Sequence, residues 1–201
     1  MGLFGEKIVD PINLLPYDGV VKYYGVQVSL KDANSYLDRL LTNVQWRHDE
    51  AVVCGKHIVT KRQVAWYADE AFEYSYSGVT KKALPWIDVL LELRAIAEQV
   101  GDTFNSCLIN LYSDGTQGMA WHSDAEKTLK KNGAIASMSF GAERKFSFKH
   151  KHTKDTHSLV LEHGSLLLMG GEVQSYWQHR LPASRKITTP RVNLTFRNIV
   201  Y

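Results

Sequence analysis

Apolar residues first recur at helical spacing. Leu30, Ala33, Leu37, Leu40, Leu41 and Val44 fall three or four apart, and Ser29 is followed three residues later by Asp32. That pattern predicts a capped amphipathic helix from Ser29 to about Asn43. Ile87, Leu90, Leu91, Arg94 and Ala95 trace a second stripe after Pro85, which suits a first-turn position, and Gly101 is a natural terminator. A second helix is expected there, ending near Val100. From Cys107 the period changes to short alternating runs over 107–112, 134–140, 144–149, 158–162, 165–169, 176–180 and 191–199, separated by Gly, Asp, Asn and Pro. Such runs read as the strands of a β-sandwich or barrel. Residues 52–76 add Val- and Tyr-rich strands ahead of the second helix. With no internal repeat and no low-complexity linker, residues 1–201 are expected to form a single domain.

Composition narrows the class. The 201 residues are 44% hydrophobic and 22% charged, which excludes collagenous, coiled-coil and disordered chains. The apolar stretch Ser165–Gly171 is far short of the roughly 20 residues that cross a bilayer, and Met1–Pro16 carries Glu6, Lys7 and Asp10, so neither a membrane span nor a secretory signal is expected. Position 6 is Glu rather than Ser or Thr, which removes the myristoylation pattern. Cys54 and Cys107 form no CxxC pair and suit two buried thiols in a reducing compartment. The expected location is cytoplasmic, or nuclear in a eukaryotic source, and the expected state a monomer. A net charge of +3 permits a polyanionic partner without demanding one. Between Arg144 and Lys154, five Lys or Arg and two His stand without an acid, with Phe146 and Phe148 interleaved. The run fits either a two-faced strand entering a solvated loop or a set of phosphate contacts.

Chemistry concentrates in three places. In His122-Ser123-Asp124 the His and Asp are two apart, so on a strand both face one way and reach one ion. A third ligand is needed. His150, His152 and His157 lie in the basic run, whereas His179 follows Tyr176 and Trp177, and aromatic bulk around a neutral imidazole favours His179. Two histidines and a carboxylate cover one face of an octahedron and leave positions for co-substrates, as in non-haem Fe(II) oxygenases. In Arg191-Val192-Asn193-Leu194-Thr195-Phe196-Arg197 every polar residue is odd-numbered. If that face lines a barrel interior, its guanidinium groups need an anion, and a dicarboxylate is the natural guest. The two arginines are roughly 20 Å apart along a strand, too far to grip one carboxylate.

Together HSD at 122–124, SYWQHRLP around His179, RVNLTFR at 191–197, LINLYSDG at 108–115, ASMSFGAERKFSFKH at 136–150 and HGSLLLM at 163–169 resemble the AlkB family of Fe(II)/2-oxoglutarate-dependent nucleic-acid dealkylation dioxygenases. The similarity covers residues 60–201, while the first 45 match less clearly. It implies a mostly β fold with flanking helices: a double-stranded β-helix (jelly-roll) core over about 101–201 and an N-terminal α/β extension over about 1–100. The extension would hold a nucleotide-recognition segment at 60–80. His122, Asp124 and His179 would bind iron. Arg191 would pair with the distal carboxylate of 2-oxoglutarate, helped by Tyr112 and Asn193, with Asn110 and Arg197 nearer the keto-acid end. The implied reaction uses Fe(II), 2-oxoglutarate and O2, yields succinate and CO2, and removes an N-methyl group as formaldehyde.

An enzyme acting on a base must unstack it, sandwich it and satisfy its polar edge. The segment KRQVAWYADEAFEYSYSG at 61–78 resembles the family's recognition region. Tyr74 and Tyr76 share a strand face, Trp66 and Tyr67 supply further rings, and Arg62 could reach a phosphate or base. Glu126 is placed like an acid that holds the damaged base in related enzymes. A base methylated on its Watson–Crick edge, such as 1-methyladenine or 3-methylcytosine, is cationic and suits that carboxylate. The leading expectation is therefore repair of alkylated DNA or RNA. The alternatives are the same oxidation of methylated RNA or a protein side chain, and a β-barrel module holding a structural metal or none.

Overall fold

The computed structural model describes residues 10–53, 56–76, 79–100 and 102–200, without the side chains of 51–58 and 74–81. Cys54 and residues 1–9 lie outside the described residues. In chain order the elements are β1 (Val20–Val26), α1 (Leu30–Asn43), β2 (Arg47–Val53), β3 (Lys56–Ala68), β4 (Glu73–Tyr76), β5 (Val79–Lys82), α2 (Asp88–Ala97), β6 (Ser106–Tyr112), β7 (Met119–His122) and β8 (Ile135–Gly141). There follow β9 (Arg144–His150), β10 (Thr156–Leu161), β11 (Ser165–Gly170), a one-turn α3 (Val173–Tyr176), β12 (Trp177–Leu181) and β13 (Arg191–Arg197).

Seven strands pair in the order β1-β11-β8-β13-β6-β3-β2, and four in the order β10-β9-β12-β7. Every named pairing is antiparallel. The period-two reading of β13 explains how the large sheet is covered. Val192, Leu194 and Phe196 enter a core shared with Leu40 of α1, Val89, Leu90 and Leu93 of α2, and Ile109 and Leu111 of β6. Both helices are therefore held on one face by apolar packing, worth about 1.5–3 kcal/mol per fully buried large side chain. Ten residues of α2 would not persist alone in water.

Ser29 caps α1 as its spacing predicts, its Oγ accepting from the Asp32 N–H at 3.2 Å. Pro85 does not open α2. That helix begins at Asp88 after an extended Ile87, and a short 3-10 turn carries it to Val100. Gly141, at φ +87°, ends β8 where the chain comes so close that an added Cβ would stand 2.3 Å from the Pro190 oxygen.

Between the two sheets the interior divides. One end is filled by Val21, Phe148, Leu161, Leu167, Met169 and Trp177. The chain before β1 closes this end: the Tyr17 carbonyl accepts from Trp177 Nε1 at 3.2 Å, Tyr17 meets the His150 ring edge-on at 5.2 Å, and its hydroxyl bonds Asp155. His150 belongs to β9 and is buried, with Asp18 Oδ2 3.3 Å from its Nε2, rather than lying in a solvated loop. The other end opens into a cavity.

Candidate metal centre and its cavity

The cavity, about 890 Å3, takes its walls from both sheets. Odd-numbered residues of β13 and even-numbered residues of β6 face it from the large sheet, while His122, Phe146 and His179 face it from the small one. His122 and His179 are direct cross-strand partners between β7 and β12. Their rings lie 4.3 Å apart, and one ligand atom from each of His122, Asp124 and His179 falls within a 4.8 Å group. Asp124 Oδ1 is 3.8 Å from His122 Nε2 and 3.9 Å from His179 Nε2.

Surrounding groups orient the three. His122 Nδ1 lies 2.8 Å from the Ala120 carbonyl, a contact that makes Nδ1 the donor and leaves Nε2 a free lone pair. The Asp124 N–H donates to Gln174 Oε1 at 2.8 Å, and Ser123 Oγ to the Trp177 carbonyl at 2.8 Å, which fixes the loop after β7. Burial against Phe146 and Phe148 pushes the His179 pKa down to about 4, so its ring is neutral and able to ligate. Two imidazoles and a carboxylate converging from one side form the donor set that suits a divalent transition metal.

On the facing sheet, Arg191 is 2% exposed. Its Nη2 donates to Ser139 Oγ at 2.9 Å, and its guanidinium lies 5.6 Å from the centroid of Tyr112, its cross-strand partner. It makes no ion pair among the described residues, and its Nε is buried without a partner. Burial pulls its pKa down to about 10, which still leaves a cation at neutral pH. Asn193 stands opposite Asn110, whose Oδ1 is also buried and unpartnered, and Asn193 Nδ2 donates to Ser137 Oγ at 2.9 Å. A buried cation with an unpartnered N–H donor fits a carboxylate guest.

Several expected contacts are rearranged. Arg197, placed nearer the keto-acid end by the resemblance, lies four residues along β13 from Asn193, the partner of Asn110, and donates to Glu126 Oε1 at 3.0 Å. Glu126 is thus half-buried in an ion pair, not a free acid, although its Oε2 is buried and unpartnered. Trp66 lines the cavity and donates through Nε1 to Ser106 Oγ at 2.7 Å. Arg62 also lines it, but is paired with Asp49 and so is not a free phosphate contact. Tyr67 points to the helix side, fully buried, its hydroxyl accepting from the Gln45 N–H, and cannot stack on a base in the cavity. Tyr74 and Tyr76 fall on the β4–β5 hairpin, and their side chains lie outside the described residues.

Arg144 is likewise not a surface cation. It is 1% exposed and donates to the carbonyls of Gln117 at 2.8 Å and Pro182 at 2.9 Å. Ser139, Ser137, Gln174 and Asp49 also belong to the site. The alternation of Ser137 and Ser139 with Ala136, Met138 and Phe140 carried a signal for the first two, since small polar residues on a buried strand imply a polar interior face. Nothing in the local sequence marks Gln174 or Asp49.

Comparison with known proteins is consistent with this geometry. Residues 21–197 match the model of the 2OG-Fe(II) oxygenase superfamily. The DNA oxidative demethylase ALKBH2 of Bos taurus is 42% identical over 157 residues, covering 74% of this chain and 56% of its own. The alpha-ketoglutarate-dependent dioxygenase alkB homolog 3 of Bos taurus is 37% identical over 183 residues, or 86% of this chain and 63% of its own. The chain therefore spans less than two thirds of the length of these relatives. A solved structure of OsALKBH1 superposes with a TM-score of 0.57 over 91% of this chain and 99% of that one, at 16% identity, a likeness of fold.

Proposed function

The chain belongs to the 2OG-Fe(II) oxygenase superfamily, in its AlkB family, and from that premise we propose that it removes N-methyl groups from damaged nucleobases in DNA or RNA. The observation that carries the reading is one cavity bounded by the His122–Asp124–His179 donor set and by the unpaired, buried Arg191. Fe(II), 2-oxoglutarate and O2 are the family's cofactors, and when bound they supply an oxidation that hydroxylates the methyl group while the keto acid becomes succinate and CO2.

In this reading the protein's own residues bind, orient and exclude. His122, Asp124 and His179 hold the metal, the Ala120 carbonyl keeping His122 in the ligating tautomer and Gln174 keeping Asp124 in place. Arg191, backed by Ser139 and Tyr112, takes the distal carboxylate of the keto acid; Asn193 and Asn110 lie beside it. Phe146 and Phe148 shield His179 from water. The extruded base enters on the side of Trp66 and the β4–β5 hairpin, with Tyr74 and Tyr76 as its stacking rings. Glu126 lines the cavity with one carboxylate oxygen unpartnered, which favours a cationic lesion such as 1-methyladenine or 3-methylcytosine. Glu126 Oε2 is the acceptor for the base's exocyclic amine, and Arg197 holds the other oxygen in place. The N-hydroxymethyl product then loses formaldehyde.

The whole chain acts as one dioxygenase unit in this reading, as a monomer and in the compartment that holds its nucleic acid. Among the described residues no helix is long and apolar enough to cross a membrane. The test is a side-by-side measurement of succinate and formaldehyde on matched oligonucleotides bearing 1-methyladenine, 3-methylcytosine or N6-methyladenine. Formaldehyde in step with succinate on the cationic lesions is expected. Succinate without formaldehyde on every oligonucleotide would redirect the search to another methylated substrate, and neither product would remove the enzyme reading.

A further inference from the structure

A second cavity, of about 540 Å3, backs onto the first. Asp124, Glu126, Leu129 and Arg197 form a wall common to both. The second cavity is lined by Lys127, Lys130 and Lys131 of the β7–β8 connection and by Lys151 from the turn after β9. Lys151 is anchored, its Nζ donating to the carbonyls of Gln174 at 2.9 Å and Ser175 at 2.8 Å. The other three make no ion pair among the described residues. The two acids in the wall are committed, Asp124 toward the histidines and Glu126 to Arg197. Positive charge in this cavity is therefore uncompensated.

The connection that presents these lysines is fixed at both ends. The Lys130 N–H donates to the Asn198 carbonyl at 2.9 Å and the Val200 N–H to the Thr128 carbonyl at 2.8 Å, while Leu129 bridges Ile199. Asn132, at φ +57°, and the Gly133 N–H bonded to the Lys130 carbonyl at 2.9 Å turn the chain back toward β8. The lysine stems thus start from set positions beside the metal centre. Arg197 Nε, buried in the shared wall, has no partner.

We propose that the second cavity is a phosphate subsite that seats the backbone phosphate next to the extruded nucleotide; the inference rests on the nucleic-acid reading above. A base drawn into the first cavity leaves its flanking phosphates at the rim, and the two cavities share a wall made by residues 124–127, Leu129 and Arg197. Lysines are point charges that hold phosphate without reading sequence, which suits a subsite that must accept any neighbouring base. Free phosphate shares this chemistry, and the experiment separates the two sources.

The probe is a fluorescent single-stranded oligonucleotide with one 1-methyladenine, together with copies in which a single linkage at a time is an uncharged methylphosphonate. With the wild-type protein, neutralising one linkage beside the lesion is expected to weaken binding several-fold more than neutralising a distant one. In Lys130→Gln with Lys131→Gln that difference disappears, and the slope of log affinity against log salt falls by about 0.7 for each phosphate the protein no longer neutralises. Lys130→Arg with Lys131→Arg retains both. A flat methylphosphonate scan on the wild-type protein overturns the subsite whatever the variants do. It does so too if inorganic phosphate competes in that case, since the cavity then takes a free anion only. Absence of any oligonucleotide binding removes the nucleic-acid reading and the subsite together, whereas binding with a flat scan removes the subsite alone.

Discussion

Glu126 Oε1 lies 3.0 Å from Arg197 Nη1, so the acid that follows the HxD motif and the last arginine of β13 are partners. The pair ties the loop after β7 to the large sheet, and it leaves Glu126 Oε2 as the only oxygen of that carboxylate for a ligand. Glu126→Gln keeps an acceptor for Arg197 but removes the negative charge. Formaldehyde release from cationic 1-methyladenine and 3-methylcytosine is expected to lose a larger fraction than release from neutral N6-methyladenine, while substrate-free succinate formation falls less. Equal loss of both products on every lesion would assign Glu126 to holding the loop. Glu126→Ala also strands Arg197, and a stability loss of about 1–3 kcal/mol in urea unfolding is expected from the broken charged hydrogen bond.

His122→Ala, Asp124→Ala and His179→Ala should each abolish iron-dependent turnover. They should differ in stability. His122 and Asp124 are partly exposed, so the fold should tolerate their loss, whereas His179 is 4% exposed and packs on Phe146 and Phe148. His179→Ala should therefore also lower the thermal midpoint through the cavity it leaves. Near-wild-type turnover by any of the three removes that residue from the site.

Arg191→Met separates binding from folding. A desolvated cation with an unpartnered Nε is a cost to the protein without its guest, and apolar replacements of buried charges are often neutral or stabilising by about 1–4 kcal/mol. The variant should match or exceed the wild type in thermal midpoint without 2-oxoglutarate. It should lose the stabilisation that 2-oxoglutarate gives the wild type, about 2.7 kcal/mol at a hundred times its Kd. A variant that 2-oxoglutarate still stabilises fully would mean that the carboxylate binds elsewhere.

Arg144→Ala tests the basic run. Because Arg144 donates to carbonyls of Gln117 and Pro182, its removal should lower stability and leave the salt dependence of oligonucleotide binding unchanged. A reduced salt slope would restore it as a phosphate contact.

Period and motif carried much of this molecule. The alternation in RVNLTFR correctly separated a core face from a polar face, because a strand in a two-layer fold must put alternate residues on opposite sides. The HxD spacing and the aromatic setting of His179 located three side chains that the fold brings within a 4.8 Å group. Pairing across the fold was not legible. Arg197 with Glu126 and Arg62 with Asp49 join segments whose proximity depends on strand order, which local patterns do not encode. Tyr67, one step along β3 from Trp66, faces the helices, as the same alternation requires of neighbours on a strand. Arg144 looked like surface charge because its carbonyl partners come from backbone, and backbone acceptors leave no trace in composition.

The stretch around Tyr17 and Asp18 lies just ahead of residue 21, where the match to the superfamily model begins. Yet Tyr17 covers Trp177, the residue two before His179, and Asp18 faces His150 on the neighbouring strand. The border of resemblance is thus not a border of folding. A minimal enzyme trimmed to start at Val21 would uncover Trp177 at the start of the strand that carries a metal-site histidine, and an excised catalytic piece must keep this leading strap to keep that end of the strand covered.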